Sequence, residues 1–388
     1  MRKFIEGSMA VAEAVKLCRP HVISAYPITP QTHIVEHLSQ MVADGEVNAQ
    51  FINVESEFGA ASVVLGASAA GGRAFSATTS QGLLLMGEVI FNIAGLRLPV
   101  VITVANRSIS APINIWNDHS DAMAIRDAGW IMLFAEDNQE AHDMHLQAYK
   151  IGETPEISLP VMINMDGFIL THAFEGVDVI SQEEADSFLP PFKPAVHLDV
   201  KNPVTMGVLA EPQWYMEARC RMQEALYESR PVIKQAARDF KGKFGRWYGD
   251  VIDTYRIDGA ETVFVAMGSL IGTLKDAVDD LRGKGEKVGL LKIRCFRPFP
   301  GQEIAEALKN TRRVAIMEKA FSLGASGILG DEIKAALYAT PYRPEISTFF
   351  IGLGGRDIPK SSIVNVYNQV KAKQQNNVFV DLKTELVK

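Results

Sequence analysis

Cysteine is scarce in this chain. Three thiols, Cys18, Cys220 and Cys295, are scattered over 388 residues. A disulfide framework, a structural zinc site or an iron–sulfur cluster needs clustered thiols, so none is expected on this chain alone. Positive charge is in deficit as well: 39 Lys and Arg against 46 Asp and Glu leave a net charge of −7. A nucleic-acid partner is not expected, because phosphate contacts require a basic footprint. No uninterrupted run of ~18 apolar residues is present, which speaks against a transmembrane helix. The best apolar run, Leu98 to Ala105, has the length of a buried strand. Glu6 interrupts the apolar stretch that a secretory leader would need after Arg2 and Lys3. The baseline expectation is a soluble cytoplasmic protein with no membrane partner.

Familiar glycine fingerprints are missing too. Gly66 to Gly72 lacks the Lys-Ser/Thr of a phosphate loop, and Gly324, Gly327 and Gly330 lack the dinucleotide pattern. Gly352, Gly354 and Gly355 read as a turn. What the chain has is apolar material, 47% of its residues, enough for a full core. At one domain per ~150 residues, two or three domains are expected. Strand patterns at His21–Tyr26, Gln50–Val54, Ala74–Thr78, Pro99–Ala105, Trp130–Phe134 and Pro160–Met165 alternate with helical ones at Met9–Leu17, His33–Met41, Phe58–Ala70 and Leu83–Ala94. That alternation predicts an α/β fold, a doubly wound parallel sheet covered on both faces. Prolines 190, 191, 194 and 203 then mark an irregular connection, and Trp214–Arg230 reads as a helix that Pro231 breaks or restarts. A smaller α/β unit follows, with strands at Thr262–Met267, Lys287–Ile293, Arg313–Glu318 and Ile346–Ile351 and helices at Thr273–Arg282, Gln302–Lys309 and Ala325–Tyr338.

Four polar loops fall at strand-to-helix transitions of the first unit, where open α/β sheets bind ligands. The first is Tyr26-Pro27-Ile28-Thr29-Pro30, in which Thr29 and Pro30 also suit the N-cap and first turn of a helix. The second holds Glu55 and Glu57 at a strand end, either favouring a helix dipole or poised by burial. The third is Thr79-Ser80-Gln81-Gly82, where Ser80 could cap a helix and Gly82 admits close approach of a ligand. The fourth is Asn106-Arg107, whose guanidinium suits a carboxylate. Asp118, His119 and Asp121 follow on one loop, but adjacent loop positions without a clear partner set do not predict a metal site. Four such loops converging on one crevice say more than any one of them.

Taken in order, Tyr26-Pro-Ile-Thr-Pro30, Ser56-Glu-Phe-Gly-Ala60, Thr79-Ser-Gln-Gly-Leu83, Arg107 and Asn117-Asp-His-Ser-Asp121 form a familiar set, joined by Met267-Gly-Ser269 and the stretch from Gly285 to Arg294 ending in Arg297-Pro298-Phe299. The sequence resembles the alpha subunit of 2-oxoacid:ferredoxin oxidoreductases, closely that of the multi-subunit pyruvate:ferredoxin oxidoreductases (pyruvate synthases), over nearly its whole length. The resemblance implies oxidative decarboxylation of a 2-oxoacid to an acyl-CoA, with electrons passing to ferredoxin. It implies thiamine diphosphate as cofactor, its pyrimidine end on this chain and its diphosphate and magnesium on a beta subunit. The absence of a Gly-Asp-Gly…Asn motif agrees with that division. Iron–sulfur clusters would sit on partner subunits only, and gamma and ferredoxin-like delta subunits would complete the complex.

By the same resemblance Glu57, not Glu55, is the catalytic carboxylate, which holds the aminopyrimidine in its imino form. Thr29 and Arg107 bind the oxoacid. Tyr26, Pro27, Ser80, Gln81 and Gly82 line the cofactor with Glu57, and the Asn117–Asp121 stretch has no assigned role. The domains would be residues 1–175 binding the thiamine pyrimidine, 176–258 as a connector with helices, and 259–388 as a transketolase-C-like unit. Other readings remain open: another 2-oxoacid substrate (a branched-chain one, or oxalate), or a non-catalytic interaction subunit.

Overall fold

The computed structural model describes residues 1–387. Its first unit is a seven-stranded sheet in the order Cys295–Arg297, Ile131–Phe134, Val161–Asp166, Val101–Asn106, Ala74–Thr78, Val22–Ser24, Gln50–Ile52. All neighbours are parallel except Cys295–Arg297, which pairs antiparallel with Ile131–Phe134. Every residue of the three central strands Ala74–Thr78, Val101–Asn106 and Val161–Asp166 is buried, as expected for a parallel sheet with both faces covered. One face packs the helices Gly7–Leu17 and Asn138–Gly152 around Val11, Phe75, Tyr149 and Ile163. The other packs the helices Glu57–Ala69 and Gly87–Gly95 around Val64, Ile90, Ile102 and Trp130.

The second unit is a six-stranded sheet in the order Val378–Phe379, Glu345–Phe350, Arg313–Glu318, Thr262–Ala266, Val288–Ile293, Ile252–Tyr255. Only Ile252–Tyr255 runs antiparallel. Its inner face (Val263, Leu291, Val314) shares one apolar cluster with the outer face of the first sheet, through Phe296, Ile304 and Leu308. Among the described residues no helix is long and apolar enough to cross a membrane.

Several expectations need correction. Pro231 does not end its helix: one helix runs from Pro212 to Phe244 and stops at Gly245, which has φ +73°. Position 231 is exposed, and Ile233, Ala236, Ala237 and Phe240 bury the next turns, so packing outweighs a proline cost of ~3 kcal/mol. The predicted helix Leu83–Ala94 is two, Ser80–Leu85 and Gly87–Gly95, meeting at Met86. Pattern reading did not foresee the antiparallel ribbon of Arg2–Glu6 with Phe174–Asp178, the helix Lys360–Ala372, or the crossing of Cys295–Arg297 into the first sheet.

Candidate functional site

The four loops leave four neighbouring parallel strands, so they share one sheet edge. Ser56 caps the helix Glu57–Ala69 by accepting a hydrogen bond from the Gly59 N–H at 3.2 Å, which sets Glu57 in its first turn. Glu57 is only 7% exposed, and its carboxylate has no hydrogen-bond partner among the described residues. It lies against Gly82: a Cβ there would stand 2.7 Å from Glu57 Oε1 and 2.7 Å from Thr78 Oγ1. Thr78 Oγ1 beside it is buried without a partner, as is Nε2 of Gln81, the residue before Gly82. A buried carboxylate and a hydroxyl left unpaired around a missing side chain, with an unpaired amide nitrogen on the preceding residue, call for a polar ligand to satisfy them. The aminopyrimidine of thiamine, a flat ring with nitrogen donors and acceptors, fits that donor and acceptor set.

The loop after Ala74–Thr78 is held in a costly conformation. Ser80 has φ +45°, a left-handed backbone that a residue with a side chain adopts at a cost of ~1–3 kcal/mol. The Ser80 hydroxyl donates to Ser108 O at 2.6 Å, and its N–H donates to Asp121 Oδ2 at 3.0 Å. Asp121 also accepts from Arg107 N, Asn106 Nδ2 and Ala122 N at 2.7–3.0 Å. Burial pushes the Asp121 carboxyl up to about 6, against the pull of these hydrogen bonds. It therefore works as a knot tying the Ser80 and Arg107 loops, a role its place in the sequence did not reveal.

Arg107 is 7% exposed. Its Nη1 donates to Thr29 O at 2.9 Å and its Nε to Asn114 O at 3.0 Å, leaving Nη2 without a partner among the described residues. Burial lowers the pKa of the guanidinium, while Asp121 works to raise it. The structure thus brings together Thr29 and Arg107, and separately Glu57, Thr78 and Gly82, while Ser80, whose hydroxyl also bonds Gln81 Oε1 at 2.6 Å, is linked to the Arg107 side. Thr29 is not a helix cap: that helix starts at Thr32, and Thr29 stays exposed with its hydroxyl uncommitted. Ser80 likewise begins its helix rather than capping it. Tyr26 and Pro27 lie on the exposed rim. Asp118, His119 and Asp121 do not converge. Asp118 accepts from Ser120, and His119 meets Asp166 at 2.7 Å.

The second unit's motifs point inward to the first unit. Lys319 Nζ donates to Asp166 Oδ2 at 2.7 Å and to Asn117 Oδ1 at 2.8 Å, and Ser269 bonds the same Asp166 oxygen. Burial opposes charge on Asp166, but Lys319 and His119 outweigh it and hold the carboxyl well below its ordinary range. Lys292 and Arg294 meet Glu140 at 2.6 and 2.8 Å.

Fold and site together define a thiamine-diphosphate-binding α/β chain. Residues 13–238 match the pyruvate flavodoxin/ferredoxin oxidoreductase family model, thiamine diphosphate-binding, and residues 260–363 match core domain II of pyruvate:ferredoxin oxidoreductase. The chain belongs to this oxidoreductase family. It is 52% identical to pyruvate synthase subunit PorA of Methanosarcina barkeri, over 99% of this chain and 97% of that one. It is 47% identical to PorA of Methanothermobacter thermautotrophicus, over 99% of each. It is 44% identical to ketoisovalerate oxidoreductase subunit VorA of Pyrococcus horikoshii, over 96% of this chain and 94% of that one. In fold it is similar to a 2-oxoglutarate:ferredoxin oxidoreductase from Magnetococcus marinus, with TM-score 0.70 and 19% identity. The match covers 95% of this chain but 65% of that one, so this chain spans just under two thirds of the larger protein. An inactive split-gene transketolase chain gives TM-score 0.56 at 13% identity, over 96% of this chain and 100% of that one.

Proposed function

We propose that this chain is the alpha subunit of a pyruvate:ferredoxin oxidoreductase, which converts pyruvate and CoA to acetyl-CoA and CO2 and passes the electrons to ferredoxin. One observation carries the reading: the partnerless buried carboxylate of Glu57 against Gly82 shares a sheet edge with the Arg107–Thr29 pair. Residues 1–175 would hold the thiamine pyrimidine, 176–258 connect, and 259–388 form the transketolase-C-like unit. A beta subunit would hold the diphosphate and magnesium, gamma and ferredoxin-like delta subunits would complete the complex, and the iron–sulfur clusters would sit on partner subunits. Thiamine diphosphate supplies the carbon nucleophile that the reaction needs. Glu57 holds a proton at the pyrimidine ring, and burial strengthens that bond by excluding water. Ser80, Gln81 and Gly82 shape the ring's slot, with Tyr26 and Pro27 at its mouth. Arg107 Nη2 binds the oxoacid carboxylate, and the Thr29 hydroxyl donates to its carbonyl oxygen.

The test is Glu57→Gln in the assembled complex. The amide keeps the size but not the charge. The cofactor is expected to bind while hydrogen–deuterium exchange at its thiazolium carbon slows by ~10²–10⁴-fold, the usual reach of acid–base help. Glu55→Gln is the control, and an unchanged exchange rate in Glu57→Gln removes Glu57 from the mechanism. The 44% identity to a ketoisovalerate oxidoreductase subunit favours one second reading, a branched-chain substrate. Assay of the complex with pyruvate, 2-oxoisovalerate and oxalate separates the readings, and pyruvate is expected to be used best.

A further inference from the structure

The glycine turn at the end of the second sheet touches the substrate side of the first. It follows the strand Glu345–Phe350, and Gly352, Gly354 and Gly355 have φ of +68°, +60° and +78°. These left-handed values free its backbone groups to face the first unit. Gly354 O accepts a hydrogen bond from Asn114 Nδ2 at 3.1 Å, and Gly355 N donates to Asn117 O at 2.6 Å. Gly354 N reaches Asp118 Oδ2 at 3.3 Å. Asn114 is fastened from its own side as well, since its Oδ1 accepts from Ser108 Oγ and from Trp116 N, both at 2.8 Å. Its carbonyl oxygen is then the acceptor for Arg107 Nε at 3.0 Å.

We infer that Asn114 is a positioning residue for substrate recognition, through which the Gly352–Gly355 turn of the second unit aims the Arg107 guanidinium. Arg107 Nε and Nη1 are both taken, by Asn114 O and Thr29 O, so these two carbonyls fix the guanidinium plane and leave Nη2 for the ligand. A planar fork gains its advantage only when its plane is fixed. If Asn114 drifts, Arg107 keeps its charge but loses its aim. The inference rests on the assignment of Arg107 as the carboxylate-binding residue.

Steady-state kinetics of the assembled complex with pyruvate and CoA test it. Asn114→Ala is expected to raise KM for pyruvate roughly tenfold, the scale of one charge-assisted hydrogen bond, with kcat within about twofold and KM for CoA unchanged. Gly354→Ala reaches the same end from the opposite side, because its Cβ would stand 2.7 Å from Asn114 Nδ2. Asn114→Asp keeps the acceptor for Ser108 and Trp116 but loses the donor to Gly354, so its KM should fall between those of wild type and Asn114→Ala. In an Arg107→Ala background, Asn114→Ala should add nothing further. If Arg107→Ala lowers kcat/KM but Asn114→Ala, Gly354→Ala and Asn114→Asp do not, the inference is overturned and the carboxylate role of Arg107 stands. If the Arg107 and Asn114 losses multiply in the double variant, the two act independently and the inference is likewise overturned. If Arg107→Ala itself leaves kcat/KM unchanged, the carboxylate reading fails and the inference with it.

Discussion

Glu57 and Gly82 depend on each other, although the rest of the helix Glu57–Ala69 and the strand Ala74–Thr78 lie between them in the chain. The helix start places the carboxylate, and the lack of a side chain at 82 leaves it room. A Cβ at Gly82 would come within 2.7 Å of Glu57 Oε1 and 2.9 Å of Glu57 Cγ. Glu57 is flexible and can yield, whereas Thr78 Oγ1, equally near at 2.7 Å, belongs to a fully buried strand residue and gives only by a small shift. Gly82→Ala is therefore expected to cost only ~1–3 kcal/mol of stability, in the range of mild overpacking. It should weaken thiamine diphosphate binding by roughly tenfold or more, because the displaced carboxylate loses its bond to the ring. Cofactor titration of the assembled complex, beside its melting temperature, checks this. A wild-type dissociation constant would show that the slot is not where the ring binds. At this scale strand-end position marks Thr29, Glu55, Glu57, Gly82 and Arg107 as candidates, and only the family resemblance prefers Glu57 to Glu55, but the sequence hides Asp121 and Asn114. Their importance lies in their partners, and Gly354 is 240 residues from Asn114. No local pattern carries a bond of that span.

Elements were legible wherever a periodic apolar face or a cap decided them. The buried parallel strands stood out because both of their faces are apolar. Edge strands such as Ile252–Tyr255, which is only partly buried, gave no such run. The helix Ile328–Tyr338 was expected from 325, but its start is set by a carboxylate from another element. Glu318 ends the strand Arg313–Glu318 and accepts from Leu329 N at 2.8 Å and Gly330 N at 3.2 Å, capping the helix from outside. Burial pushes the Glu318 carboxyl from 4.5 up to about 7, and the two N–H groups only partly restrain it. The sign follows from the raised value. In this window the folded chain holds a proton that the unfolded chain has released, so stability falls as pH rises. The contribution is fully present below about 4.5 and is lost as pH climbs through about 7. Glu318→Gln cannot titrate, so its melting temperature should fall less than that of wild type between those values. Parallel melting curves for the two proteins across that range would rule out a titrating Glu318.

At the scale of the molecule, the two sheets behave as one body because three devices join them. One apolar cluster runs through both, the strand Cys295–Arg297 of the second unit completes the first sheet, and buried ion pairs bridge the seam. The alternation of strands and helices made the α/β class readable in the sequence. The joints were not, because Lys292-Ile293-Arg294 reads locally as a strand with misplaced charges. In the fold those charges meet Glu140, which is 0% exposed and accepts from Lys292 Nζ at 2.6 Å and Arg294 Nε at 2.8 Å. Burial disfavours the Lys292 ammonium, yet Glu140 and Glu136 more than offset that and raise its pKa. Lys292 would keep Glu136 at 2.8 Å if Glu140 lost its charge, whereas Arg294, fully buried, would face no other carboxylate among the described residues. Glu140→Gln should therefore cost ~3–5 kcal/mol, as breaking a buried pair by removing one partner does. The shared apolar cluster should keep unfolding in a single transition, shifted to lower denaturant with an unchanged slope. Lys287→Gln is the control, because its pair with Glu261 at 2.9 Å lies in solvent and its loss should leave the midpoint where it is. Denaturant titration of the three proteins decides. Two separate transitions in Glu140→Gln would mean that the ion pairs, not the common core, hold the sheets together, and a midpoint equal to that of the control would mean that the buried network contributes nothing to the joint.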